Sequence, residues 1–247
     1  MPKGNRIGRT ANTTAPATSN GETPANINGK TDKQIAYEQM TDEEAAALAQ
    51  KLRSKPNSYY DQQGLNGSNP TQRLVEELDM NQKPVVVDDD TFNKLAKAQN
   101  AVVLYRGVTD NGTLSGKDIA NQTMYGDKTY VGDGIHGNGL YFSTDQRTAK
   151  SYARYGNSGA VMKAMIDPSK ARVIDEDTLL RMWGNEVRPN STYRDIANLA
   201  IKKGYNVIHA PGGNGSTPYN KKTGRGEDFY IPIDRSALIF SSSVDQP

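Results

Sequence analysis

The sequence predicts an α+β fold, and three observations carry that expectation. Short apolar runs of strand length recur through the second half of the chain, at 101–104, 140–143, 160–166, 205–209 and 227–233. Capped, helix-prone stretches fall between some of these runs and not between others. Strands and helices therefore do not alternate regularly, which disfavours a doubly wound parallel sheet despite the 23 glycines.

The elements follow in order. Residues 1–33 carry five Lys or Arg against Glu22 and Asp32, and are rich in Thr, Ala, Asn, Pro and Gly. They read as a disordered, weakly basic arm, a candidate docking segment for a larger phage or host assembly. Order is expected from about residue 34. Thr41 with Glu44 forms a capping box that opens a helix through the Ala-rich run after it. Pro70 suits the first position of a second helix that turns Leu74, Val75 and Leu78 to one face. A strand at 84–87 meets Asp88, Asp89 and Asp90, which favour the start of a third helix carrying Phe92, Leu95 and Ala96. With 11 acidic and 7 basic side chains, 34–100 reads as a small helical flank or subdomain, 34–99.

After residue 100 the texture changes. The strand at 101–104 ends in Tyr105, Arg106 and Gly107. A Gly-, Asp- and Asn-rich loop at 109–138 is too long to be a mere connector. A strand over 140–143 follows, then a helix capped by Asp145 with Ala149, Tyr152 and Ala153 expected inward. Strands at 160–166 and 172–174 flank Pro168, and helices span 177–183 and 191–203, the second stopped by Gly204. A strand at 205–209 leads into a second long loop, 211–226, and strands at 227–233 and 237–240 complete the region. His209 ends its strand in a packing or hydrogen-bonding role. His136 lies in the first loop with no assigned one.

Composition excludes several function classes. A net charge of +2 makes no electrostatic case for nucleic acid or anionic membrane as obligatory partners. Zero cysteines exclude disulfides and thiolate zinc sites, and two histidines are too few for a histidine-rich metal centre. No metal is expected. No signal peptide is expected at the N-terminus, and no apolar run approaches the ~20 residues that span a bilayer.

The informative constellation is an arginine at a strand end (Arg106), then Gly137-Asn138-Gly139-Leu140-Tyr141-Phe142-Ser143-Thr144, then Glu227-Asp228 at a strand start. In this order it resembles the ADP-ribosyltransferase fold family. The arginine-serine-glutamate toxins supply the role assignments, and the chain is also similar to ADP-ribosyltransferase-like domains attached to phage head proteins. The stretch through Ala149-Lys150-Ser151-Tyr152 resembles the poly(ADP-ribose) polymerases, which place histidine where Arg106 stands. The resemblance covers roughly 100–240.

It implies a split β-sandwich with flanking helices over 100–247, NAD as substrate, and a mono-ADP-ribosyltransferase in a virion or the host cytoplasm. A protein acceptor is favoured over nucleic acid. An NAD glycohydrolase, or an inactive virion accessory protein with the same fold, is the alternative. Nicotinamide leaves NAD through an oxocarbenium-like transition state that a nearby carboxylate stabilises. Arg106 offers a planar fork for the pyrophosphate. Gly107 would let backbone approach the nicotinamide amide. Ser143 would hold the carboxylate or the ribose, with Thr144 supporting the strand. Tyr105, Gly139, Tyr141, Phe142 and Tyr152 complete the expected cofactor shell, with Tyr155 a further stacking candidate.

The carboxylate itself is open between two residues. Side-chain length and type favour Glu227, whereas matching the strand through Pro232 favours Asp228. Strand alternation sends them to opposite faces, so one alone can serve. The toxin group carries an acidic or amide residue two before its glutamate to orient the acceptor. Here Arg225 precedes Glu227 at that spacing.

Overall fold

The computed structural model describes residues 30–54, 70–80, 82–127, 131–132, 137–183, 194–213 and 227–247. A helix the sequence did not announce begins a little before residue 34. Thr31 caps α1 (Asp32–Gln39) in a full capping box with Gln34, and its hydroxyl also donates to the Leu78 carbonyl at 2.7 Å. The sequence reading missed this helix because it has almost no apolar periodicity. Its hold on the fold is Tyr37, which is buried. In α2 (Asp42–Ser54) the expected capping box forms, with Glu44 accepting from the Thr41 amide and Thr41 from the Glu44 amide. Pro70 opens α3 (Pro70–Glu77).

Strand β1 (Val85–Val87) and α4 (Asp89–Ala98) follow. Asp88 caps α4, accepting from Thr91, while Asp89 binds Lys163 and Ser241. The aspartate triplet thus starts a helix and pins it to the sheet. Among the described residues no group of His, Asp and Glu side chains is arranged to hold a metal ion.

The next strand, β2, spans Leu104–Val108, shifted towards the C-terminus of its expected place. It carries Arg106 inside the strand and not beyond its end. The stretch expected as one long loop holds a helix, α5 (Gly116–Tyr125), opened by a Ser115 and Asp118 capping box. The glycines on either side masked a signal that the box alone supplies. Then come β3 (Phe142–Ser143), α6 (Gln146–Ala153), β4 (Ala160–Ile166), β5 (Val173–Asp175), α7 (Glu176–Trp183) and α8 (Arg194–Lys202). The chain continues through β6 (Val207–Gly213), β7 (Glu227–Pro232), a 3₁₀ turn (Arg235–Ala237) and β8 (Leu238–Asp245). Gly204 stops α8 at φ +86°, a conformation in which any Cβ is strained.

Among the described residues, the eight strands belong to one open, mixed sheet in the order β1-β8-β4-β2-β3-β7-β6-β5. The outer pairs β1·β8 and β5·β6 are parallel and the rest antiparallel. The expected α+β class is observed, with the described strands in one mixed sheet. Two-residue β3 hydrogen-bonds to β2 at one register position and to β7 at two, joining the halves. Because β1 pairs with β8, part of the segment expected as a flank contributes to the same sheet.

Each half has its own core. Leu104, Phe142, Met162 and Phe240 pack with α5 on one side, with Phe142 edge-on to Phe240 at 5.9 Å. Tyr37, Leu52, Leu74 and Leu179 pack from the helices onto Ile208 and Ile231 of the other half. Fully burying such side chains stabilises by about 1.5–3 kcal/mol each. Lys202 of α8 donates to the Glu38 and Met40 carbonyls, which ties the last turn of α1 to this core. Among the described residues no helix is long and apolar enough to cross a membrane.

Candidate functional site

The site lies where the sheet halves part. Tyr105 and Ser143 are the one paired position between β2 and β3, and beyond it the two strands fork. Paired residues of an antiparallel ladder share a face, so Tyr105, Ser143 and its partner Phe229 lie on one side, together with Glu227. Arg106, Phe142, Asp228 and Tyr230 lie on the other.

Glu227 and Ser143 meet across 84 positions of sequence. Ser143 Oγ donates to Glu227 Oε2 at 2.8 Å and accepts from the Asp145 amide at 2.9 Å. Ser143 is buried while Glu227 is partly open. One hydroxyl therefore does two things: it orients a carboxylate and secures the turn into α6. Asp145 caps that helix as expected, accepting from the Arg147 amide.

Asp228 is occupied elsewhere. Its amide donates to Thr144 Oγ1 at 3.2 Å and its carbonyl accepts from the Thr144 amide at 3.0 Å. Its carboxylate accepts from the Gly212 amide at 2.8 Å and stands 3.4 Å from His209 Nε2. His209 Nδ1 contacts Asp175 at 2.7 Å, and the imidazole stacks on Tyr230 at 4.5 Å between centroids. Burial raises the Tyr230 phenol above its usual range, helped by the charges of Asp228 and Asp175. Asp175 and Tyr230 escaped the sequence reading. The signal that could have found them is register, which sets Asp175 beside His209 and His209 beside Tyr230.

Arg106 sits in the fork. Nη1 donates to the Tyr141 carbonyl at 3.0 Å, while buried Nε has no hydrogen-bond partner among the described residues. Burial pushes the guanidinium down to about 10, so it stays charged at neutral pH. It makes no hydrogen bond to Ser143 or Glu227. The arrangement thus joins serine to glutamate directly and ties arginine to the residue two before the serine.

The remaining expected residues divide by surroundings. Tyr141 donates to the Gly137 carbonyl at 2.7 Å and lies edge-on to Phe229. Tyr105 packs partly buried against Ala149, Ala153 and Val161. Phe142 is wholly buried in the core. The open position at Gly107 serves a helix: a Cβ there would fall 1.9 Å from the Ala149 carbonyl oxygen of α6. At Gly139 a Cβ would fall 2.4 Å from Ile231, so close packing of the sheet excludes it. Tyr152 was expected inward and is instead 56% exposed, beside Tyr155. The short helix turns the two small residues Ala149 and Ala153 onto the sheet and leaves Tyr152 outside. His136, Arg225 and most of the second expected loop lie outside the described residues.

No protein-family model matches the chain, and no curated protein matches it.

Proposed function

We propose that this chain cleaves the nicotinamide–ribose bond of NAD and transfers ADP-ribose to a macromolecular acceptor, as a mono-ADP-ribosyltransferase. The observation that carries this reading is the 2.8 Å bond from Ser143 to Glu227, which holds a carboxylate in one orientation beside the fork. In the proposed reaction the C1′–N bond breaks and its electron pair leaves on nicotinamide, which becomes neutral. Glu227 stabilises the positive charge that develops on the ribose. The acceptor nucleophile then bonds to C1′, and its proton passes to solvent. Arg106, tied by one bond to the Tyr141 carbonyl, is the proposed clamp for the pyrophosphate. The ribose separates these phosphates from the scissile bond, so the clamp has no need to touch Glu227. Asp228 is set aside as the catalytic carboxylate in this reading because Ser143 holds Glu227, whereas the Asp228 carboxylate is taken by the Gly212 amide.

Purified protein with labelled NAD and a cell lysate is expected to release nicotinamide and label a discrete target. Glu227→Ala is expected to abolish both while Asp228→Asn keeps measurable release. Release without labelling would mean hydrolysis only. Neither release nor labelling by the wild type would end the proposal, and loss confined to Asp228→Asn would reverse the assignment of the carboxylate.

A further inference from the structure

The cluster on the far face of β7 has no role in the reaction as described, yet it is built on the residue next to Glu227. We propose that His209 is a positioning residue: clamped between Asp175 and Asp228, it fixes the first turn of β7 and thereby the place of Glu227 against Ser143. This rests on the NAD-cleavage reading for its catalytic consequence, though not for the clamp itself.

The geometry is specific. Glu227 is the first residue of β7, so nothing in the strand before it fixes its position. Asp228 is fastened on both sides, to Thr144 through two hydrogen bonds of its backbone and to β6 through the Gly212 amide, with His209 Nε2 standing 3.4 Å from its carboxylate. On the β6 side Glu227 pairs with Gly213, but across a register shift between Ala210 and Gly213, so the ladder at that corner is irregular. The side-chain contacts reinforce it. His209 is the centre: Asp175 on β5 orients the ring at Nδ1, Tyr230 stacks on it, and Nε2 faces the Asp228 carboxylate.

The two protonation states differ at one atom. With its single proton on Nδ1 donated to Asp175, neutral His209 presents a buried lone pair to Asp228. The imidazolium donates from both nitrogens and bridges the two carboxylates. Among the described residues the titratable groups in contact with the ring are Asp175 from β5 and Asp228 and Tyr230 from β7. Protonation therefore tightens the corner that carries Glu227, and deprotonation loosens it.

Two measurements separate the clamp from the NAD reading. The chain has two histidines, so nitrogen-detected NMR with His136→Gln as the assignment control isolates His209. The neutral ring is expected as the Nδ1–H tautomer, and amide exchange at Asp228 and Phe229 is expected to accelerate in His209→Gln while Val161 and Met162 stay unchanged. An Nε2–H tautomer, or unchanged exchange at Asp228, overturns the clamp. In nicotinamide release, His209→Gln is expected to lower kcat by a factor on the order of 10 to 100 with KM for NAD nearly constant, the loss expected of a slightly misplaced group. Any pH dependence of kcat that arises from the bridge between the two carboxylates is expected to vanish in that variant. Asp175→Asn, at an exposed position that spares the core, is expected to reproduce both effects more weakly. A His209→Gln enzyme with wild-type kcat and pH profile overturns the positioning role. A wild type that releases no nicotinamide ends the NAD reading, while tautomer and exchange still decide the clamp.

Discussion

Arg106 and Arg235 are both arginines drawn into the protein, and their surroundings could hardly differ more. Arg235 is 1% exposed and uses its whole fork on backbone. Nε donates to Gln82, Nη1 to Gln122 and Thr123, and Nη2 to Gly126, the last three at the C-terminal end of α5. They lie at the negative end of the helix dipole, where carbonyls run short of intrahelical partners, although Gln122 also accepts from the Gly126 amide. Arg106 reaches one carbonyl, Tyr141, and keeps a buried Nε with no partner among the described residues. Burial of a cation thus says little about its use. What separates a structural arginine from a binding one is whether its donors are already satisfied.

The contrast can be broken in both directions. The largest expected effect is on Arg235→Ala, which strips the end of α5 of its cap and should lower unfolding free energy by about 3–5 kcal/mol in urea denaturation. Arg106→Ala should cost far less stability but reduce nicotinamide release on the order of 100-fold, as for loss of a group that positions the substrate through its pyrophosphate. Equal stability losses for the two variants would erase the distinction.

Next in size is Asp234, beside Arg235. Its side chain accepts from the Ser236 amide, and burial raises its carboxyl to about 6. A raised folded value means the contribution is fully present below the unfolded value and is lost as pH rises through about 6. Asp234→Asn keeps the acceptor and removes the charge. It should raise stability at pH 7 by about 2 kcal/mol and flatten the stability profile between about pH 4 and 6. Tyr141→Phe, which deletes the bond to the Gly137 carbonyl, should cost about 1 kcal/mol by thermal denaturation. Tyr155→Ala, at a site 82% exposed, should change stability by less than about 0.5 kcal/mol. A larger loss there would mean that the tyrosine pair at the end of α6 is held by something beyond its own contact.

Local chemistry was legible wherever the interaction is local. Thr41 with Glu44, Asp88 and Asp145 cap helices three or fewer residues away, and all three do so in the structure. Strand β4 falls on its apolar run because seven consecutive residues suited to a buried strand leave little alternative. α5 was overlooked where glycines surround it, and α1 because its apolar content is slight. Tyr152 was misplaced because an eight-residue helix offers too few turns to fix which stripe faces inward. The meaning of Gly107 was invisible, since only the packed backbone of α6 shows what fills the space of the missing Cβ.

For the candidate site, the sequence by itself determined the residue types and their order: arginine in one strand, serine in the next, and a carboxylate at the start of a third. It also confined the choice of carboxylate to one of two neighbours, because side chains alternate along a strand. Which neighbour meets Ser143 was decided by the register between β3 and β7. Register depends on pairings 84 positions apart, and a slip of one residue would have exchanged Glu227 for Asp228. The fork that shelters Arg106, and the clamp of His209 between Asp175 and Asp228, depend in the same way on distant strands meeting, which no local pattern encodes.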